Sequence, residues 1–97
     1  MNLATKTKKH SSHRQSARLS PEYVAVVTVL VAERKKTGVG QIELSNRLDK
    51  PQSYVAKIET GNRRIDVAEL LAICDALELN PHELIDKLRR AIRKASH

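Results

Sequence analysis

Side chains that are mostly short or able to form hydrogen bonds follow one another closely between Pro51 and Thr60, where the sequence predicts a helix. The side chains on one face of that helix are Gln52, Ser53, Tyr54, Ala56 and Lys57. Glutamine and lysine can bind purine edges in the major groove of DNA, and serine can donate or accept a hydrogen bond there. A polar face that only meets solvent would have a similar composition, so these residue types alone leave both interpretations open.

Catalytic chemistry is not indicated by any combination of residues in this chain. An enzyme would need a base near a nucleophile, a metal cluster or a phosphate-binding loop. Gly38 and Gly40 lack the further glycine or lysine of a nucleotide loop. His10 and His13 have a spacing that suits a metal, but no acid or cysteine accompanies them. We expect no enzyme and no metal or cofactor site, and because no effector domain follows the predicted helices we expect no small-molecule ligand.

The positive charge of the chain is concentrated near its N-terminus. The 97 residues have a net charge of +7, from 18 basic and 11 acidic residues. Residues 1–19 contain no acid and five bases, which are Lys6, Lys8, Lys9, Arg14 and Arg18. This segment has no apolar periodicity and is expected to be a flexible arm, with polyanions such as DNA, RNA or anionic lipid as natural partners. A tail that only aids solubility is the alternative.

Other features of the composition restrict the class of protein. Proteins that bind single strands stack bases on aromatic side chains, whereas this chain has two tyrosines and no Phe or Trp. The longest apolar stretch, Tyr23 to Ala32, has half of the roughly 20 residues that a membrane span needs. No signal peptide is visible, and the lone Cys74 fits a reducing compartment. We expect a cytoplasmic protein without a membrane partner.

Residues 20–97 are predicted to form one all-α domain with five helices. Ser20, Asp66 and Asn80 are of the types that cap helix starts, and Gly38 and Gly61 are of the type that ends helices. The β-branched run within residues 23–32 would also suit a strand, but its continuation into charged residues and its end at Gly38 favour a helix. The predicted helices span about residues 21–36, 41–48, 51–60, 67–77 and 81–94.

The second and third predicted helices are joined by a tight turn, as in a helix-turn-helix unit. The small Ser45 lies where the two helices would cross closely, and Val55 and Ile58 would pack the second of them inward. This arrangement would leave the opposite, polar face of that helix on the outside.

The order of residues around this unit resembles the Xre family, the DNA-binding domain of lambdoid phage repressors and Cro proteins. The resemblance covers about residues 21–86 and lies in the joint spacing of helix, turn and cap residues. The residues that carry it are Arg34, Gly38, Gln41, Leu44, Ser45, Leu48, the run Lys57-Ile58-Glu59-x-Gly61, Asp66, Leu70, Leu71, Leu77 and Asn80-Pro81. It implies a lambda-repressor-like DNA-binding domain in a bacterial or phage protein.

The resemblance also implies which residues would touch DNA. The positions that match base-reading residues are Gln52, Ser53 and Lys57. Their neighbour Tyr54 is expected to contact bases as well. The positions that match residues contacting the DNA backbone are Gln41, Asn62, Arg63 and Arg64. Arg34 and Glu59 match a structural pair between the first and third helices. Three positions depart from the family pattern, because Asp49 replaces a turn glycine and Gly40 and Pro51 replace Ser or Thr caps.

An apolar row on the last predicted helix indicates a homodimer. One domain of this size reads only about four or five base pairs, so pairing on a palindromic operator is the usual remedy. The row consists of Leu84, Ile85, Leu88 and Ile92, and Leu79 lies at its base. Internal packing of the whole row is the alternative to an interface.

Together these features predict a sequence-specific regulator of transcription that binds double-stranded DNA, and a repressor in particular. An antitoxin that sequesters a toxin and regulates its own operon is a second hypothesis, because the chain resembles the small Xre proteins and many of these are antitoxins. A third hypothesis is an RNA- or ribosome-associated factor that uses the arm and the basic last helix.

Overall fold

The computed structural model describes residues 19–96, and within this range all regular structure is helical. The arm residues Lys6, Lys8, Lys9, Arg14 and Arg18 lie outside the described residues, as do His10 and His13. The helices are α1 (Pro21–Thr37), α2 (Gln41–Arg47), α3 (Tyr54–Glu59), α4 (Val67–Leu77) and α5 (Pro81–Ala95). The predicted all-α fold with five helices is confirmed. None of these helices has the length and apolar character needed to span a membrane.

Side-chain caps start three of the helices. The Ser20 hydroxyl accepts a first-turn amide of α1 at 3.2 Å. Asp66 and Glu69 form a reciprocal capping box at the start of α4, in which each side chain accepts the other residue's amide. The Asn80 side chain accepts two first-turn amides of α5. Because the first turn of a helix leaves amides without partners, these caps set where the helices begin.

α1 is helical throughout, including the β-branched run that would also have suited a strand. It ends at Gly38, whose φ of 80° is left-handed and whose amide donates to carbonyls of the last turn. Glycine adopts this conformation without steric cost. One side of α1 buries Leu30, while Val24 and Val27 on another side border a mostly apolar groove of about 590 Å³. The helix is therefore apolar on more than one side.

α2 and α3 cross closely because the residue between them is small. Ser45 is fully buried, and its hydroxyl accepts the Val55 amide at 3.1 Å. The connecting turn passes through Asp49, whose φ of 59° is left-handed. Aspartate tolerates this conformation better than most residues, so the turn keeps its shape without the glycine that the family pattern has there.

The third helix begins later than the sequence indicated. The prediction had it start at Pro51, whereas α3 begins at Tyr54 and the preceding Gln52 and Ser53 form a turn. The Tyr54 amide donates to the Pro51 carbonyl at 3.0 Å, an i to i−3 bond that closes this turn. Ser53 makes no side-chain cap for α3. The bounds of the other four helices lie within one residue of the predicted ones.

The buried apolar side chains form two clusters. The first lies beneath the helix-turn-helix and contains Val39, Leu44, Tyr54, Val55, Ile58, Ile73 and Leu77. The second joins α1, α4 and α5 and contains Leu30, Cys74, Leu84 and Leu88. Burial raises the pKa of the Cys74 thiol, as expected for a cysteine that serves as a small core residue.

The apolar row of α5 belongs mainly to the second cluster and is not a free surface. Leu84 and Leu88 are only 2% and 5% exposed, because α5 lies along α1, and Leu79 packs against the same cluster. Ile85 is 41% exposed and Ile92 is half-buried. The prediction of a dimer interface along the whole row is therefore wrong for Leu84 and Leu88. The long α1, which lies along α5, covers these leucines.

An ion pair holds α5 against α1. The Lys87 ammonium lies 2.9 Å from a carboxylate oxygen of the buried Glu33, and Lys36 lies 3.4 Å from the same oxygen. The hydrogen bond from Lys87 lowers the pKa of Glu33 even though burial opposes it. The buried carboxylate is thus paired across the two longest helices.

Candidate nucleic-acid interface

The residues predicted to bind bases lie around the start of α3, and three of the four are exposed. Gln52 and Ser53 occupy the turn before α3, and Lys57 lies one turn into the helix. A notch of about 280 Å³ opens beside them, which we call the basic notch. Its lining residues are Lys50, Pro51, Ser53, Tyr54, Lys57 and Arg63. The structure thus brings Ser53 and Lys57 together and leaves Gln52 outside the notch.

Tyr54 is a packing residue, which contradicts the expectation that it faces outward to contact bases. Its side chain is 7% exposed, and its hydroxyl donates to Glu69 Oε2 at 2.9 Å. Burial and the hydrogen bond to Glu69 raise the pKa of the phenol. A buried phenol that is bonded to a carboxylate of α4 links α3 to α4 and is not placed to read a base.

Arg63 is held by α4 and by Tyr54. Its Nη2 lies 2.8 Å from Glu69 Oε2, and its guanidinium carbon lies 4.9 Å from the centroid of the Tyr54 ring. The hydrogen bond from Arg63, followed by that from the Asp66 amide, lowers the pKa of Glu69 from 4.5 to about 2. The sequence does not reveal Glu69 as part of this site, because its spacing from Asp66 indicates only a helix cap.

Arg64 lies over the other tyrosine of the chain. Its guanidinium carbon is 4.2 Å from the centroid of the Tyr23 ring, and its side chain is exposed. A cation–π contact helps to hold a guanidinium in place. Asn62, in the same loop, is also exposed and donates to the Thr60 hydroxyl at 3.2 Å. The loop after α3 therefore presents arginines that are fixed by the chain's two aromatic residues.

Gln41 belongs to a hydrogen-bond network that joins α1, α2 and α3. Arg34 donates to both carboxylate oxygens of Glu59, at 2.6 Å and 2.9 Å, and to the Val39 carbonyl at 2.9 Å. The Gln41 amide donates to Glu59 Oε1 at 2.8 Å. Burial raises the pKa of Glu59, but the hydrogen bonds from Arg34 and Gln41 outweigh it and lower the pKa. The network fixes the start of α2 relative to the end of α3.

Lys50, in the turn between α2 and α3, was not among the predicted contact residues. Its ammonium lies 5.4 Å from the centroid of the Tyr54 ring and lines the basic notch. The only signal in the sequence was a positive charge within the turn of the helix-turn-helix unit. The structure adds Lys50 to the set of candidate contacts because it lies beside Ser53 and Lys57.

The described part of the chain begins at Leu19, whose side chain packs beside the end of α3. It lies against Gly61, where φ is 83° and an added Cβ would overlap the Leu19 side chain. Gly61 comes directly before the loop that holds Asn62, Arg63 and Arg64. The chain therefore enters the domain next to this loop.

The chemistry that these side chains suit is binding. Within residues 19–96, no group of His, Cys, Asp and Glu side chains is placed to hold a metal ion. Exposed amide, hydroxyl and basic side chains lie together around α3 and its flanking turns. Such a set suits a polyanion whose backbone carries phosphates and whose bases present hydrogen-bonding edges.

Comparisons with known proteins point to the same chemistry. The helix-turn-helix family model matches residues 30–84, which is more than half of the chain and runs from α1 to the start of α5. Among solved structures, the chain is similar to an XRE-family like protein from Pseudomonas syringae pv. tomato str. DC3000, at 35% identity with a TM-score of 0.66. The similarity covers 82% of this chain and 93% of that chain. No curated protein matches the chain.

Proposed function

This chain belongs to the XRE family of helix-turn-helix DNA-binding regulators, and from that premise we propose that it is a sequence-specific transcriptional repressor. Its ligand is a palindromic operator in double-stranded DNA, and it binds there as a homodimer. α3 and the turn before it approach the base edges in the major groove. The loop after α3 approaches the phosphates.

The observation that carries this proposal is the division of α3 and its leading turn into two sides. Tyr54, Val55 and Ile58 are buried in the core beneath the helix-turn-helix. Gln52 and Lys57 are exposed, and both types of side chain can bind purine edges. Because the buried side is bonded to α2 and α4, the exposed side is held rigidly, as base recognition requires.

The backbone contacts that we propose lie on either side of α3. Asn62 and Arg64 are exposed in the loop that follows α3, and Arg64 is fixed over Tyr23. Gln41 lies at the start of α2 and is bonded to Glu59 at the end of α3. Backbone contacts of this kind set the register of a protein on the duplex without selecting its sequence.

The homodimer is proposed from the small number of base pairs that one domain can read and not from an interface. A domain that reads about four or five base pairs needs a second copy to mark one site in a genome. Two copies related by a two-fold axis would place their α3 helices about 34 Å apart, in successive major grooves. Since Leu84 and Leu88 lie in the core, the part of the apolar row on α5 that remains for such a contact is Ile85 and the half-buried Ile92.

The experiment that tests the function is selection of bound duplexes from a random double-stranded library by the full-length protein, followed by sequencing. We expect a palindromic motif with half-sites about one helical turn apart. A short asymmetric motif would contradict the homodimer on a palindrome. Absence of any enriched motif would contradict sequence-specific regulation.

The antitoxin hypothesis shares the same DNA-binding helices, and no feature of residues 19–96 identifies a toxin partner. An antitoxin would be recovered from its native host together with a second small protein in fixed ratio. A repressor that acts alone would be recovered with DNA only, so this purification separates the two hypotheses.

A further inference from the structure

Basic side chains gather around one tyrosine at the edge of α3. The Lys50 ammonium lies 5.4 Å and the Arg63 guanidinium carbon 4.9 Å from the same Tyr54 ring centroid. Lys57 and Ser53 line the same basic notch of about 280 Å³. Three positive charges are thus confined to a small concave site that contains no acidic residue in its lining.

The three positive charges in the notch differ in whether an acidic side chain is paired with them. Arg63 is paired with Glu69 of α4, so its charge is largely offset within the domain. Neither Lys50 nor Lys57 forms an ion pair with an acid among residues 19–96. Like charges that face one concave site repel one another and attract an anion from solution. The notch therefore offers two unbalanced ammonium groups to an anion.

Hydrogen-bond donors are also available in the notch. Ser53 precedes α3 but its hydroxyl does not cap the helix. Arg63 uses Nη2 for Glu69 and Nη1 for the Arg64 carbonyl, and a guanidinium has five N–H donors in all. The stacking on Tyr54 keeps this guanidinium in one orientation. An anion with several acceptor oxygens matches this set better than a base edge does.

We propose that the basic notch binds one phosphate of the DNA backbone, with Lys50 and Lys57 neutralising its charge and Ser53 and Arg63 donating hydrogen bonds to it. This inference rests on the proposed function and refines it. Lys57 becomes a phosphate ligand, which leaves Gln52 as the principal base-reading residue. Glu69 and Tyr54 become positioning residues, because they hold Arg63 and do not touch DNA themselves.

The proposal is tested by the salt dependence of DNA binding. Full-length wild type, Lys50→Gln and Lys57→Gln are titrated by fluorescence anisotropy against a random-sequence duplex and a duplex carrying the selected motif, across a salt series. Lys94→Gln is the matched control, because this lysine is exposed on α5 and does not line the notch. Circular dichroism melts of each variant check that the fold is retained.

We expect Lys50→Gln and Lys57→Gln each to reduce the slope of log Kobs against log salt by up to about 0.9, the value for one phosphate contact, because both lysines serve the same phosphate. The fold-loss in affinity should be the same on both duplexes, and Lys94→Gln should leave the slope unchanged. Unchanged slopes for both notch variants would overturn the phosphate site. A loss confined to the selected motif would overturn it too, in favour of base contacts.

These outcomes are separate from failure of the proposed function. A wild type that binds neither duplex at low salt would overturn the regulator and the phosphate site together. A wild type that binds both duplexes, with notch variants that behave like the Lys94→Gln control, would overturn the phosphate site alone.

Discussion

Arg34 and Glu59 form a two-pronged ion pair that ties α1 to the end of α3, with Nε–Oε2 and Nη2–Oε1 distances of 2.6 Å and 2.9 Å. Both side chains are only 9% exposed. Gln41 and the Val39 carbonyl complete the hydrogen bonds around the pair. α3 is therefore anchored to the domain by a desolvated charge pair.

We expect Arg34→Ala to reduce the free energy of unfolding by roughly 3–5 kcal/mol, because it strands the Glu59 carboxylate in a buried site. Glu43→Ala is the control, since it removes only the exposed pair between Glu43 and Arg47 and should cost less than about 1 kcal/mol. Urea denaturation followed by circular dichroism measures both values. Equal effects of the two substitutions would contradict the structural role of the pair.

A second prediction concerns α5. Leu88→Ala should reduce the free energy of unfolding by roughly 2–5 kcal/mol, because it opens a cavity in the cluster between α1 and α5. Ile85→Ala, one turn away and 41% exposed, should change it by about 0.5 kcal/mol or less. Chemical denaturation measures both. A folded Leu88→Ala protein of wild-type stability, whose oligomeric state alone has changed, would restore the interface that the sequence indicated.

Much of the fold was predictable because its signals are local. Ser20, Asp66 and Asn80 are caps that act within one turn, so their residue types reveal the helix starts. Gly38 marks the end of α1 in the same way. The start of α3 was not predictable because Pro51 also suits the first position of a helix. In the structure, the two residues that follow Pro51 form a turn instead. No local signal distinguishes the two.

The candidate site was only partly predictable because its key contacts join distant segments. Tyr54 and Glu69 are 15 residues apart in sequence, and their hydrogen bond exists only once α3 packs on α4. The sequence predicts that Arg63 contacts phosphate, and only the folded chain shows its pairing with Glu69. Burial of Leu84 and Leu88 likewise depends on how α5 lies along α1, which the periodicity of α5 does not reveal.

A third prediction concerns pH. The pKa of Glu69 is about 2 in the folded chain against an ordinary value of 4.5, so its ionised form stabilises the fold. This contribution is complete above pH 4.5 and is lost as the pH falls from 4.5 towards 2. The difference in free energy of unfolding between wild type and Glu69→Gln should therefore be constant above that range and shrink within it. A difference that is independent of pH would contradict the pairing with Arg63.

A fourth prediction concerns the basic arm, which we propose contacts DNA. The chain enters the domain where Leu19 packs on Gly61, beside the loop after α3. Deletion of residues 1–18 keeps this contact and removes five basic residues. We expect the thermal unfolding midpoint to stay nearly unchanged and DNA affinity at physiological salt to fall. Equal affinities of the two proteins across a salt series would show that the arm only aids solubility.

The most direct test of sequence recognition by α3 is the base-pair preference of Gln52→Ala, measured by competition among single-base-pair variants of the selected motif at one salt concentration. Gln52 is exposed in the turn that leads into α3, and each bidentate contact to a base contributes about 1–3 kcal/mol of discrimination. Asn46→Ala, which removes an exposed amide from α2, serves as the control. We predict that Gln52→Ala loses this discrimination at one or two base pairs while its affinity for random DNA stays unchanged. Equal losses of affinity for the selected motif and for random DNA would contradict sequence recognition by Gln52.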